Sequence, residues 1–325
     1  MQRNGEEKRA DRLLWQLKSV MVGHAVADAV GVPAEFKHRS VLDMAPVTDM
    51  CGYGTHHMPK GTWSDDTSMS LAALDGLAAC GLHYEEIMHR FTQWVDRAAY
   101  TATDVMFDVG GTCLYAISNF VHDNSMRAVD CGEAGEFANG NGSLMRIHPF
   151  VLYAHAKGMS FAEWREVIEN GSRLTHAHER SRVGCLIYAF LLLALLQDGA
   201  GRDGIAPALC RAKEALAGYG ELTRYSRIFS PVFAGTPRVL IKSSGYVVDT
   251  LEAAIWCLLT TENYRDCVLK AVNLGDDTDT VAAVAGGLAG ALYGYDAIPA
   301  AWRESLLRRS VIEETCARAA TAFLS

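Results

Sequence analysis

The sequence predicts an all-α protein, a compact single domain of packed helices with functional loops, and three observations carry that prediction. Apolar residues recur at helical spacing through most of the chain. The strictly alternating, β-branched runs of a half-buried sheet are missing, and PRVLIKS (237–243) is the one modest strand-like piece. Several apolar segments are rich in Ala and Gly, a composition that lets neighbouring helices approach closely.

Taken in order, helical periodicity covers 11–31, 67–80, 84–99 and 142–157, then 160–172, 178–197 and 205–217. It resumes over 246–261, 263–273, 279–293 and 300–323. Within the sixth of these, VGCLIYAFLLLALL (183–196) is the longest apolar run, at 14 residues. A bilayer span needs about 20 residues, so this segment reads as a buried core helix. AAVAGGLAGALYG (282–294) is the most glycine-rich helix. Each interior glycine costs roughly 0.5–1 kcal/mol relative to alanine, a cost that close packing of a central helix offsets. Between the helices lie three loops of unusual composition, at 51–66, 131–143 and 219–245. None resembles a flexible linker, and no period of 20–50 residues repeats.

At 325 residues the chain is long enough to bury a substantial core. Half of it is hydrophobic and 21% charged, which excludes a disordered or fibrous protein. The net charge is -8 and no broad basic patch appears, which argues against duplex nucleic acid as a partner. Nine cysteines show neither a CxxC pair nor zinc spacing, and read as reduced core thiols. The polar N-terminus MQRNGEEKRADRLLWQ lacks the apolar stretch of a signal peptide. These features predict a cytoplasmic protein with no membrane partner.

Chemistry concentrates in two acidic clusters. NLGDDTDT (273–280) places Asp276, Asp277 and Asp279 directly before the Ala/Gly-rich helix, and GTWSDDTSM (61–69) places Ser64, Asp65 and Asp66 before another. Either cluster alone reads as helix capping, since Ser and Asp cap well and early acids gain ~0.3–1 kcal/mol each from the helix dipole. Capping gives no reason for three carboxylates in four positions, however. Asp277 and Asp279 converge only if Asp277 sits in the cap and the helix starts near Asp279. Together with the Thr280 hydroxyl they then form an all-oxygen site suited to Mg²⁺ or Mn²⁺, which Asp65 and Asp66 could extend to two metals.

With both clusters in view the chain resembles the ADP-ribosylglycohydrolase family. The resemblance spans residues 18 to 295 and rests on ordered motifs: GHAVADAVGVPAEF (23–36), GTWSDDTSM, FDVGGT (107–112), NGNGSLMRI (139–147), LTHAHERS (174–181), SGYVVDTLEAAIW (244–256) and LGDDTDTVAAVAGGLAGALYG (274–294). It divides the chain into an N-terminal extension (1–17) and a glycohydrolase-like domain (18–325). The resemblance implies a helical bundle with a binuclear Mg²⁺ or Mn²⁺ cleft. Ser64, Asp65, Asp66, Asp277, Asp279 and Thr280 would be the metal ligands, and Glu35, Asp65 and Asp279 the catalytic carboxylates.

The same resemblance puts Asp108 and Gly110 near the distal ribose and its leaving group. It puts Asn139, Gly140, Gly142 and Ser143 at the diphosphate or ribose, His176 at the substrate, and Tyr246 against adenine. Read from the residues alone, Glu35 is a surface acid after a proline, Asp108 and NGNG are turns, His176 is a satisfied histidine, and Tyr246 is a core aromatic. Two positions depart from the family pattern: Ala27 and Asp276 stand where glycine is common. Residues before Lys18 and those of 219–243 carry no family motif.

The implied activity is metal-dependent hydrolysis of the bond between ADP-ribose and a protein side chain, arginine foremost. Glu35 would orient or deprotonate the water, and Asp108 would face the departing guanidinium. The partners implied are an ADP-ribosylated protein and ADP-ribose. The alternative from the same family is a binding protein without turnover, either a crystallin-like structural relative or an antagonist of an ADP-ribosyltransferase toxin.

Overall fold

The computed structural model describes residues 2–123, 125–197 and 201–325, and among them are fourteen α-helices. They are α1 (Gln2–Gly31), α2 (Arg39–Met44), α3 (Asp65–Cys80), α4 (Tyr84–Arg97), α5 (Gly111–His122), α6 (His148–Lys157) and α7 (Phe161–Arg173). The second half holds α8 (Glu179–Leu195), α9 (Ile205–Ala215), α10 (Val247–Leu259), α11 (Tyr264–Val272), α12 (Thr278–Tyr293), α13 (Ala300–Ser305) and α14 (Arg309–Leu324). Among the described residues there is no sheet, only isolated bridges, and no helix is long and apolar enough to cross a membrane.

The axis of the fold is the pair α1 and α12, and glycine makes their contact possible. A Cβ on Gly290 would lie 2.0 Å from the Ser19 carbonyl oxygen, and one on Gly286 would lie 2.7 Å from that of Gly23. At the far end, a Cβ on Gly31 would lie 2.3 Å from Asp279 Cα. Residue numbers rise along α1 as they fall along α12, so the two helices run antiparallel with their backbones touching. The C-terminal end of α1 therefore abuts the N-terminal end of α12. Around this pair, α14 packs on α1, while α11, α10 and α8 pack on α12, and α3 is clasped by α14, α4 and α6. The division expected between residues 17 and 18 falls inside α1, where Leu13 and Leu17 are buried in the core.

Five expectations need correction. The strand-like 237–243 contains a single 3₁₀ turn, Arg238–Leu240. The Arg39 guanidinium takes the carbonyls of Arg238 (2.9 Å) and Ile241 (2.5 Å), acceptors that a strand would have offered to a neighbouring strand. The single helix expected over 300–323 is broken at Arg308, which takes φ +47°, while the Leu307 amide turns to the Gly61 carbonyl at 3.0 Å. Helix α6 begins at His148 rather than 142, with Pro149 in its first turn, where no backbone N–H is needed. Finally, α5 was not expected, and Cys51, Cys80 and Cys210 are exposed rather than core thiols, although all nine cysteines are free.

Candidate metal and substrate site

The starts of α3, α5 and α12 line one cavity, and the end of α1 packs behind its acids. Their contact begins with Asp28, in the last turn of α1 and wholly buried. Its carboxylate accepts from the Ser64 amide (3.0 Å), the Thr67 amide (3.2 Å) and the Thr67 hydroxyl (2.6 Å). Asp28 thus satisfies amide groups at the start of α3 from outside that helix. Asp65 and Asp66 are thereby released from capping duty.

Asp66 then links the two acidic clusters. Its Oδ2 accepts from the Ser64 hydroxyl at 3.0 Å and from the Thr280 hydroxyl at 3.3 Å. Asp277 is the residue before α12, yet its side chain makes no capping bond. Its Oδ2 instead accepts from Asn141 Nδ2 at 2.8 Å. Asp279 Oδ1 accepts from the Thr280 amide at 3.0 Å. Each of these three acids keeps a buried oxygen with no hydrogen-bond partner among the described residues: Asp66 Oδ1, Asp277 Oδ1 and Asp279 Oδ2. Buried polar atoms normally find partners, so three unpaired carboxylate oxygens in one place ask for a cation.

The geometry supplies room for cations. One carboxylate oxygen each from Asp28, Asp66 and Asp279 lie within 4.8 Å of one another, and the same holds for Glu35, Asp277 and Asp279. The two groups share Asp279. An all-carboxylate, hydroxyl-flanked donor set is one that hard divalent cations prefer, so these residues fit metal ions.

The electrostatics agree. Burial first, and then neighbouring carboxylates, push Asp65, Asp66 and Asp279 well above the usual carboxylate range. Burial raises Asp277 too, with the Asn141 bond working against it, and lifts Asp28 to about 7. Glu35 is driven far upward by burial and by Asp108 beside it. The N-termini of α3 and α12 contribute partial positive charge, but not enough to hold this many acids ionised.

The cavity itself has a volume of about 280 Å³. Of the expected substrate residues it is lined by Asp108, Gly110, Gly140, Gly142 and His176, together with Glu35, Asp65, Asp277 and Thr280. A Cβ on Gly142 would lie 2.9 Å from His176 Cε1 and 2.7 Å from Cys113 Sγ, so any side chain there would displace one of them. His176 is pushed down to about 3 by burial and the Arg146 charge, so its ring is neutral. Arg146 donates to the Thr175 hydroxyl oxygen (2.7 Å), and that hydroxyl meets His176 Nδ1 at 2.8 Å.

Three expected substrate residues stand elsewhere. Asn139 and Ser143 do not line the cavity. Asn139 is bonded to the Glu136 carbonyl and the Ser181 hydroxyl, and Ser143 to Ser172 and Cys185. Tyr246 lies next to the cavity residue Gly245, with the Arg180 guanidinium 5.7 Å from its ring centroid.

Asp276 is also accounted for. It is exposed and takes φ +59°, a conformation glycine or aspartate tolerates best, and its backbone exchanges hydrogen bonds with the chain just after Glu35. It belongs to the loop's geometry and not to the acid cluster.

Three contributors escaped the sequence reading. Asp28 lay in plain view in the ADA stretch. Asn141, between the two glycines of NGNG, is the amide that reaches Asp277. His56, in the 51–66 loop, meets Glu35 Oε2 through its Nε2 and has a ligand atom within 4.8 Å of those of Glu35 and Asp108.

Fold and site together define a helical protein with an acidic cavity whose carboxylates are able to hold metal ions. A family model described as ADP-ribosylglycohydrolase matches residues 8–324, and the chain belongs to that family. It is 32% identical over 302 residues to an ADP-ribosylarginine hydrolase Tri1 of Pseudomonas putida (strain GB-1), covering 91% of this chain and 75% of the relative. It is 31% identical to an ADP-ribosyl-[dinitrogen reductase] glycohydrolase of Rhodospirillum rubrum, covering 88% of each. A solved structure titled ADP-ribosylglycohydrolase-related protein complex superimposes with a TM-score of 0.79 at 28% identity, over 97% of this chain and 99% of that one.

Proposed function

We propose that this protein is a divalent-metal-dependent hydrolase that removes ADP-ribose from modified protein side chains, with arginine as the linked residue. The observation that carries the reading is the meeting of the two acidic clusters around one cavity, with three buried oxygens left unpaired. The linkage is supported by the 32% identical relative named as an ADP-ribosylarginine hydrolase. Nine free cysteines support a reducing, cytoplasmic setting. None of these observations supports a toxin as partner.

Asp66, Asp277 and Asp279 would hold two Mg²⁺ or Mn²⁺ ions, with Ser64, Asp65 and Thr280 around them. Such ions supply positive charge for the ribose hydroxyls and the attacking water. Glu35, oriented by His56 and ionised once cations would offset the neighbouring carboxylates, accepts the proton of that water as its oxygen attacks the anomeric carbon. The glycosidic C–N bond breaks with its electron pair going to the guanidine nitrogen, which takes up the proton released from the water to leave as guanidinium, and the ribose ring acquires oxocarbenium-like charge that the surrounding carboxylates stabilise. Asp108, on the cavity wall, receives the departing guanidinium. Gly140 and Gly142 let the backbone approach the substrate, and His176 faces the same cavity.

The test is a hydrolysis panel of arginine-, serine- and nucleic-acid-linked ADP-ribose, run with Mg²⁺, with Mn²⁺ and with chelator. Release of ADP-ribose from the arginine-linked substrate, dependent on metal, is the expected result. Absence of release from every substrate would sink the enzyme reading.

A further inference from the structure

Phe36 lines the cavity and is nevertheless 67% exposed. Its backbone takes φ +60°, a conformation a bulky side chain pays for and rarely adopts. The surroundings enforce it. The Phe36 amide donates to the Asp276 carbonyl at 2.7 Å, and the Asp276 amide donates back to the Lys37 carbonyl at 2.9 Å. Strain of this kind, held by the surrounding chain, is often found where a side chain is presented to a ligand.

The neighbours of the ring say which ligand. The His56 ring centroid lies 5.9 Å from that of Phe36, and Phe107 lies 5.1 Å beyond His56. Glu35, His56 and Asp108 place polar atoms within 4.8 Å of one another beside these rings. The mouth of the cavity therefore combines two carboxylates, Glu35 and Asp108, with the exposed ring of Phe36. A planar, weakly hydrated cation satisfies both features at once, and a guanidinium does so better than an ammonium or a neutral hydroxyl.

We infer that Phe36 is a specificity-determining residue for the leaving group. Its ring stacks on the guanidinium of the arginine whose bond is cleaved, while Asp108 accepts the N–H groups at the guanidinium edge. The inference rests on the reading of this protein as a hydrolase of arginine-linked ADP-ribose. It assigns the ring to the leaving side chain and not to the ADP-ribosyl group.

Three variants test it by initial-rate kinetics on ADP-ribosyl-arginine. Phe36→Leu keeps apolar bulk without a π face. Phe36→Gly removes the side chain and relaxes the backbone at φ +60°, so it folds without strain. Phe36→Tyr keeps the π face. The Leu and Gly variants are expected to raise KM roughly 3- to 10-fold with kcat unchanged, and the Tyr variant to behave as wild type. Product inhibition by free ADP-ribose is expected to stay at the wild-type value in all three. Unaltered KM in both the Leu and Gly variants would overturn the inference alone. So would a loss of ADP-ribose affinity as large as the rise in KM, since the ring would then serve the shared group. If wild type itself fails to turn over the arginine-linked substrate, the functional reading falls and takes this inference with it.

Discussion

Replacing Asp279 with asparagine should move the stability of this protein in opposite directions with and without metal. Asp279 is wholly buried, belongs to both acidic groups and leaves Oδ2 unpaired. In chelator the substitution removes a carboxyl that burial and four neighbouring acids disfavour in its ionised form. An unsatisfied buried acceptor costs ~1–3 kcal/mol, and the new amide can donate to Asp66 or Asp277. The metal-free variant should therefore melt higher than wild type, by about 2–6 °C given ~2 °C per kcal/mol for a large domain. With a cation at about 100 times its Kd, wild type gains ~2.7 kcal/mol. A 100-fold loss of affinity would leave the variant about 0.4 kcal/mol of that gain, so cation shifts the balance toward wild type by about 2.3 kcal/mol and reverses the order of melting temperatures for any metal-free advantage smaller than that.

The assay is differential scanning fluorimetry of both proteins in Mn²⁺, in Mg²⁺ and in chelator, from pH 6 to pH 8.5. The sign of the pH effect follows from the raised folded pKa values. Such groups contribute stability that is complete below the unfolded carboxylate range and lost as pH rises through the folded value, about 7 for Asp28. Metal-free wild type should accordingly lose stability across pH 7, and cation should flatten the profile because binding holds the acids ionised. An Asp279→Asn variant with the full cation-induced rise in Tm would refute the reasoning, as would one less stable than wild type in chelator.

Gly31→Ala puts a methyl 2.3 Å from Asp279 Cα. It should cost at least ~1–3 kcal/mol by overpacking, read as a lower denaturant midpoint, and should weaken metal binding measured by titration calorimetry. Asn141→Ala removes the bonds to Asp277 and Thr250. A loss of ~1–2 kcal/mol is expected, with lower metal affinity and slower ADP-ribose release in the hydrolysis assay. Asp276→Gly relaxes a residue at φ +59° with an exposed side chain. It should keep wild-type activity and gain up to ~1 kcal/mol, whereas Asp277→Asn should abolish turnover. Equal losses in both would return Asp276 to the acid cluster.

Most helices could be read from the chain because their signals are local. Ser64 caps α3 where its sequence suggested, and the apolar runs of α8, α10 and α12 leave no other use for so many buried side chains. The breaks and turns were harder. Nothing near Arg308 says that the Leu307 amide will turn to Gly61, more than 200 residues away, and nothing in PRVLIKS says that Arg39 will claim its carbonyls. α5 escaped because its apolar residues do not all face inward, and Leu114 and Tyr115 remain exposed.

The site divides in the same way. Two runs of aspartate before helices stand out in the sequence because that density of charge exceeds what capping uses. A lone Asp28 in a helix, a lone His56 in a loop and the choice of Asn141 over Asn139 do not stand out. Each depends on which way a single side chain faces once distant segments have packed. By itself, the sequence determined the helical class, the family and the two acidic clusters, because residue type and spacing are enough to write those. Only the tertiary structure decided that Asp66, Asp277 and Asp279 share one buried space. The physical reason is the glycine-lined contact of α1 with α12, which brings the end of one helix onto the start of the other and buries Asp28 and Asp279 together.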